Sequence, residues 1–303
     1  MSKRTKYESI NGPLKWHGGK AYLAGEIVKL FPPRCANPNS PADGDAGYVH
    51  YCEPYFGGGS VLLANDPEGI SEVVGDADFF LSNFWNVLSS KDEWPQFRRT
   101  IEATQFSEHR WHLASLRLNE IKRYGAHDRD VYCAVEFFIT CRQSLAGRMD
   151  AFAPRSRNRT RRGMNEQVSA WLNSIEGLAA VHSRLKRVLI VSAKAIEVIQ
   201  KEDGPRTLFY LDPPYLHETR STTGEYGEHE MTSEDHVELL NTLGAIQGRF
   251  VLSGYRSALY DQFADFCGWR RVEFDIANHA AGGKTKERKT ECVWMNYKPE
   301  GVK

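Results

Sequence analysis

The chain has 303 residues, enough for one large domain or two, and its 39 Lys plus Arg balance 39 Asp plus Glu. No global basic field therefore announces a nucleic-acid partner, no apolar run approaches a membrane span, and Met1-Ser2-Lys3-Arg4-Thr5-Lys6 has no apolar signal segment behind it. Six cysteines (Cys35, Cys52, Cys133, Cys141, Cys267, Cys292) show no Cys-x-x-Cys spacing, which argues against a zinc site or a disulfide frame. The expectation is a cytoplasmic protein with reduced thiols, no metal and no membrane anchor.

After a polar stretch to residue 14, Lys15-Trp16-His17-Gly18-Gly19-Lys20 precedes an amphipathic helix that runs to about Leu30 and is stopped by Pro32-Pro33. The two glycines let backbone approach a ligand, with Trp16 and Lys20 beside them, although such a loop alone is more often just a turn. Residues 34–47 read as a loop insertion. Tyr48 to Cys52 reads as a strand, and Glu53-Pro54-Tyr55-Phe56-Gly57-Gly58-Gly59-Ser60 leads from it into a helix from Val61. This glycine loop lacks both the Gly-x-Gly-x-x-Gly of dinucleotide folds and the Gly-Lys-Ser/Thr of phosphate loops. A zwitterionic cofactor such as S-adenosylmethionine suits it better than a nucleoside triphosphate. Glu72 to Asp76 is a short strand ending in an acid, about 20 positions after the loop, where α/β folds bind ribose hydroxyls.

From Phe79 to roughly Arg187 the pattern is helical, with Trp85, Trp94 and Trp111, and it turns basic toward its end. Arg142-Gln143-Ser144-Leu145-Ala146-Gly147-Arg148 is followed by Arg155-Ser156-Arg157-Asn158-Arg159-Thr160-Arg161-Arg162-Gly163. Arginine forks suit phosphates and guanine edges, while Gln143, Ser156 and Asn158 have the groups for adenine edges or phosphates. A solvated basic loop is the bland alternative.

Leu185 to Val191 returns to a strand, followed by Ser192-Ala193-Lys194 and a helix through Gln200. Thr207-Leu208-Phe209-Tyr210-Leu211 is the kind of apolar run that fills a strand buried on both faces. Asp212-Pro213-Pro214-Tyr215 must end it, because two prolines cannot continue a central strand. Residues 216–231 read as a lid, 233–246 as a helix with a capping box around Thr232 or Ser233 and Asp235, 249–253 as a strand and 258–266 as a helix. Strands at 271–276 and 291–297, separated by a Gly/Lys/Thr loop at 278–290, suggest an antiparallel edge pair on an otherwise parallel sheet.

The stiff turn at Asp212 suits methyl transfer to an exocyclic amino nitrogen. An aromatic amine is a poor nucleophile because its lone pair is delocalised into the ring. The Asp212 side chain and the Pro213 carbonyl can accept its hydrogen bonds and draw that lone pair out of conjugation. Tyr215 can stack on a base rotated out of the duplex, and the prolines supply positioning rather than acid–base catalysis.

Taken as a set, these motifs resemble the Dam-like class of DNA adenine methyltransferases, in order through nearly the whole chain. Residues 15–20 resemble that family's first cofactor motif, and Glu53 to Ser60 its glycine motif for the methionine end of S-adenosylmethionine. Gly75-Asp76-Ala77-Asp78, with Asn83-Phe84-Trp85-Asn86, resembles its ribose-binding acid and following helix. Asp212-Pro213-Pro214-Tyr215 is similar to its catalytic tetrapeptide, Phe137-Phe138 through Arg148 to the start of its recognition hairpin, and Ser253-Gly254-Tyr255 to a later strand end. The resemblance implies a Rossmann-like α/β sheet, mostly parallel with an antiparallel C-terminal edge. Residues 1–78 and 186–303 would form the catalytic domain, and 79–185 a helical target-recognition domain with a basic hairpin. It implies S-adenosylmethionine at Trp16, Lys20, Glu53, Pro54, Phe56, Gly57, Gly59, Asp76 and Asp212. It also implies double-stranded DNA as partner, for which the chemistry of the basic segment offers Arg142, Ser144, Arg148, Arg155, Arg157, Asn158, Arg159, Arg161 and Arg162.

Two departures stand out. Lys194 occupies the position where the family usually places an acid for the cofactor's adenine, with Glu197 or a backbone group as substitute. The arginine-dense run after Gly147 replaces the familiar recognition pattern, so no target sequence carries over. The alternatives are a catalytically silent DNA-binding relative, or an amino-methyltransferase acting on RNA or cytosine.

Overall fold

The computed structural model describes residues 7–16, 18–35, 47–125, 127, 129–154, 156–219, 230–277 and 288–299. Arg155 lies outside them, as do His17 and most of the 34–47 insertion, of the 216–231 lid and of the 278–290 loop. In chain order the elements begin with α1 (Ala24–Lys29), β1 (His50–Glu53), α2 (Ser60–Ala64), β2 (Ser71–Gly75) and α3 (Phe79–Ser89). Next come α4 (Trp94–Glu102), α5 (Glu108–Tyr124), α6 (Val131–Gln143), β3 (Thr160–Arg161), β4 (Met164–Asn165) and α7 (Glu166–Leu185). The series ends with β5 (Val188–Val191), α8 (Ala195–Glu202), β6 (Thr207–Leu211), α9 (Ser233–Ala245), β7 (Arg249–Tyr255), α10 (Ala258–Cys267), β8 (Arg270–Ala277) and β9 (Arg288–Met295). The chain divides into two units, one of Met1–Lys29, Gly57–Glu68 and Asp78–Ser192, the other of Leu30–Phe56, Gly69–Ala77 and Ala193–Lys303.

The first unit is built on helices α3 to α7. Side-chain caps start four of them: on α3 Asp78 accepts from the Phe80 and Leu81 amides, on α5 Ser107 from Arg110, on α6 Asp130 from Cys133, and on α7 Asn165 from Gln167 and Val168. On α3, Leu81, Phe84, Trp85 and Leu88 recur at helical spacing and are fully buried. Phe84 meets Phe97 of α4 and both Phe137 and Phe138 of α6 at ring distances of 5.7–6.0 Å. Glu136, 1% exposed on α6, is held by both guanidinium nitrogens of Arg110 and by Arg117. A buried carboxylate is tolerated only with such partners.

The second unit carries strands in the order β2-β1-β6-β7-β9-β8. β1 pairs in parallel with β2 and with β6, and β6 in parallel with β7. β9 then runs antiparallel to both β7 and β8, the edge arrangement expected from the sequence. β6 is buried at every position, as its unbroken apolar run requires. The capping box of α9 forms on Thr232, with Asp235 reciprocating.

Within the basic segment lies the hairpin β3–β4. Its turn residues Arg162 and Gly163 both have positive φ (55° and 72°), the pair that a tight hairpin turn demands.

Candidate active site

Three acids of the second unit sit at the carboxyl ends of three adjacent strands. Glu53 is the last residue of β1, Asp76 follows β2 directly, and Asp212 follows β6, with β1 between the other two. Parallel neighbours present the same end together, so all three acids lie on one sheet edge. The strand order departs from β1 to opposite sides, the topological switch at which open α/β sheets bind ligands.

The loop after β1 is fixed by burial and by one backbone bond. Pro54 and Phe56 are buried, and the Phe56 amide donates to the Gly75 carbonyl at 2.9 Å, tying that loop to the end of β2. Glu53 is 2% exposed and accepts the Tyr51 hydroxyl. Burial, and then the Glu53 charge, hold the Tyr51 phenol well above its ordinary range. The Tyr55 phenol is likewise raised by burial and then by Asp235, Glu238 and Asp76.

At the Asp212 turn the ladder stops because Pro213 and Pro214 have no amide hydrogen. The Tyr215 hydroxyl lies 3.2 Å from Asp212 Oδ1 and also donates to the carboxylate of Glu291. Its ring stands edge-on to Tyr255, with centroids 4.7 Å apart and planes at 74°. Tyr255 and Glu291 are direct partners across β7 and β9. Burial, followed by the charges of Asp212 and Glu291, pushes the Tyr215 phenol well above its ordinary range, so it stays neutral and protonated at physiological pH. Tyr255 also lines an open cleft of about 470 Å³ with Glu218, Thr219, Arg256 and Thr290. Glu291 and Tyr255 carried no assigned role in the sequence reading. The available signal was an acid heading the otherwise apolar run Cys292-Val293-Trp294-Met295.

In the first unit, Trp16 and the glycine loop come together. A Cβ on Gly58 would lie 2.8 Å from Trp16 Cβ, and one on Gly57 3.0 Å from Trp16 Nε1. Gly57 and Gly59 adopt positive φ (49° and 68°), and the Gly57 carbonyl accepts from Trp85 Nε1 at 3.0 Å. Lys20 is 4% exposed and its Nζ donates to the Gly18 carbonyl at 2.9 Å. Its neighbour in the motif, Lys15, is lowered to about 8 by burial and then by Arg142.

The basic residues divide by burial. Arg148, Arg157, Asn158, Arg159, Arg161 and Arg162 are exposed. Arg159 has Glu166 at 3.9 Å, and Arg162 contacts Glu176 at 2.9 Å and Asn173. Arg142 instead donates to the Ala170 carbonyl at 2.9 Å, and burial lowers its pKa. Ser144 is fully buried, donating to the Cys141 carbonyl and accepting from the Met149 amide, and Gln143 is held by Gln105 and Ser107. These three side chains are engaged inside the helical unit.

Lys194 is the exposed N-cap residue of α8, and its side chain makes no cap hydrogen bond there, since an ammonium cannot accept. Glu197 lies in the first turn of the same helix. Among the described residues no cluster of His, Cys, Asp or Glu could hold a metal ion, and no helix is long and apolar enough to cross a membrane.

Comparison with known proteins completes the picture. The family model of the D12 class N6 adenine-specific DNA methyltransferases matches residues 16–266. The chain is 24% identical over 291 residues to the Type II methyltransferase M1.LlaDCHI of Lactococcus lactis subsp. cremoris, covering 93% of this chain and 94% of that one. Among solved structures, two of the rRNA methyltransferase AviRa from Streptomyces viridochromogenes are similar at 12% and 14% identity, with TM-scores of 0.39 and 0.34. These alignments cover 96% and 95% of this chain and 93% and 85% of the AviRa chains, a likeness too distant to bear on function.

Proposed function

The chain belongs to the D12 class of N6 adenine-specific DNA methyltransferases, and from that premise we propose that it methylates the exocyclic amino group of an adenine flipped out of duplex DNA, with S-adenosylmethionine as donor. The observation that supports this most is the row of Glu53, Asp76 and Asp212 at the carboxyl ends of adjacent strands, the last of them on a Pro-Pro turn. The donor set fits the cofactor's chemistry, since carboxylates suit its ammonium and ribose hydroxyls and no phosphate-binding signature is present.

In this reading Glu53, Pro54, Phe56 and Asp76, together with Trp16, Lys20, Gly57 and Gly59, hold S-adenosylmethionine, which when bound supplies an electrophilic methyl group. Asp212 and the Pro213 carbonyl accept the two amino hydrogens of adenine and localise its lone pair on nitrogen. Pro214 keeps the turn rigid, and Tyr215 stacks on the base. No general base is required, because the proton leaves to solvent after methylation. Residues 79–185 serve target recognition, with Arg148, Arg157, Asn158, Arg159, Arg161 and Arg162 on the phosphates and base edges. Residues 1–78 and 186–303 do the chemistry.

The test is to incubate purified protein with methyl-labelled S-adenosylmethionine and unmethylated duplex DNA, and then to digest the product to nucleosides. Label in N6-methyldeoxyadenosine is expected. Label in methylcytosine, or in RNA but not DNA, would overturn the choice of substrate. A protein that binds no S-adenosylmethionine by calorimetry would instead be a silent DNA-binding relative, with Lys194 as the mark of the change.

A further inference from the structure

We propose that Glu291 is a positioning residue for Tyr215: its buried carboxylate accepts the phenol hydrogen and fixes the ring on which the target base stacks. The proposal rests on the stacking role given to Tyr215 above, and it adds a residue from the antiparallel strand β9 to the same site.

Glu291 is 1% exposed and heads the fully buried run Cys292-Val293-Trp294-Met295. A carboxylate placed there is costly unless it is hydrogen-bonded, and its contact with Tyr215 offsets part of that cost. A phenol has one hydrogen, and two carboxylates compete for it, Asp212 Oδ1 at 3.2 Å and Glu291. When Glu291 takes that hydrogen, Tyr215 does not compete with the substrate amine for the Asp212 oxygen. Three restraints then converge on one ring. The Pro213-Pro214 turn fixes its backbone, the edge contact with Tyr255 fixes its plane, and Glu291 fixes its tip. Tyr255 and Glu291 face each other across β7 and β9, so the antiparallel edge supplies two of the three restraints.

The experiment compares the full-length wild type with E291Q, E291V, Y215F and the double variant Y215F/E291V, using labelled S-adenosylmethionine and unmethylated duplex DNA. E291V is expected to lower kcat roughly ten- to a hundredfold, the scale of a misplaced reacting group, with donor affinity by calorimetry unchanged. E291Q keeps an acceptor oxygen and should recover most of that loss. Y215F should lose a similar factor, and the double variant should be no slower than Y215F alone, because Glu291 acts through the hydroxyl that Y215F removes. Losses that multiply in the double variant would overturn the proposal. A readout independent of turnover is the NMR signal of 13Cζ-labelled tyrosine, with Tyr215 assigned by its absence in Y215F. That signal should move in the near-isosteric E291Q, and an unmoved signal overturns the contact itself. A wild type that methylates no DNA refutes the proposed function, whereas multiplying losses or an unmoved signal in an active enzyme refute only the role of Glu291.

Discussion

Asp212 acts in this scheme by accepting hydrogen bonds, so Asp212→Ala is expected to abolish methylation while DNA affinity, followed by fluorescence anisotropy, survives. Retained turnover would remove Asp212 from the mechanism. Lys15 provides a test of burial rather than chemistry. Its pKa falls from an ordinary 10.5 to about 8 in the folded protein, so between those values the unfolded chain binds more protons at this position than the folded one. Stability from this group therefore rises with pH across that window and is lowest below it. Lys15→Met should exceed wild type in urea denaturation at pH 7 by up to about 3 kcal/mol, and the gap should close toward pH 10.5. A gap that does not change with pH would mean Lys15 keeps its ordinary titration. The Asp-Pro-Pro-Tyr turn was legible in the sequence because two prolines after an apolar strand admit few conformations. The role of Glu291 was not, since a lone acid at a strand end does not reveal which hydroxyl stands opposite it.

Elements whose stability is local were equally legible. β6 reads as an unbroken apolar run, and α9 begins at a capping box that the structure contains. Thr232→Ala is expected to cost about 1 kcal/mol by chemical denaturation, whereas no change would show that Asp235 alone holds that end. A basic hairpin in this region was expected from the resemblance alone; the bounds of β3–β4 were not legible, because two-residue strands carry no alternation and only Gly163 signals a turn. The hairpin's arginines make a separate prediction. Replacing Arg157, Arg159, Arg161 and Arg162 with Ala should weaken DNA binding and reduce the slope of log affinity against log salt by roughly 2 to 3. This is less than four full contacts would give, because Glu166 and Glu176 already neutralise part of that charge. An unchanged slope would make the hairpin a solvated surface. Arg142 and Ser144 look like the same basic cluster in sequence, but they belong to the end of α6. Only the fold shows that Ala170 and Cys141 receive their hydrogen bonds.

At the scale of the molecule, the two units are interleaved along the chain rather than placed end to end. The sheet-bearing unit is assembled from Leu30–Phe56, Gly69–Ala77 and Ala193–Lys303, with helical segments between them. The resemblance in motif order anticipated a long insertion before the catalytic turn. It could not show that the helical unit also takes Met1–Lys29 and Gly57–Glu68, because such membership is decided by packing that no single motif encodes. The pairing of β1 with β6 has a consequence for synthesis of the protein on the ribosome. β1 leaves the ribosome long before Thr207, so one of its hydrogen-bonding edges stays open for on the order of 10 s at ordinary translation rates. Meanwhile helices α3 to α7 can already close around their aromatic core. The nascent chain thus carries an unfinished sheet edge beside a finished helical unit, a state prone to pairing with other chains. Its vulnerable interval ends when the strand leading into the Asp212 turn is made.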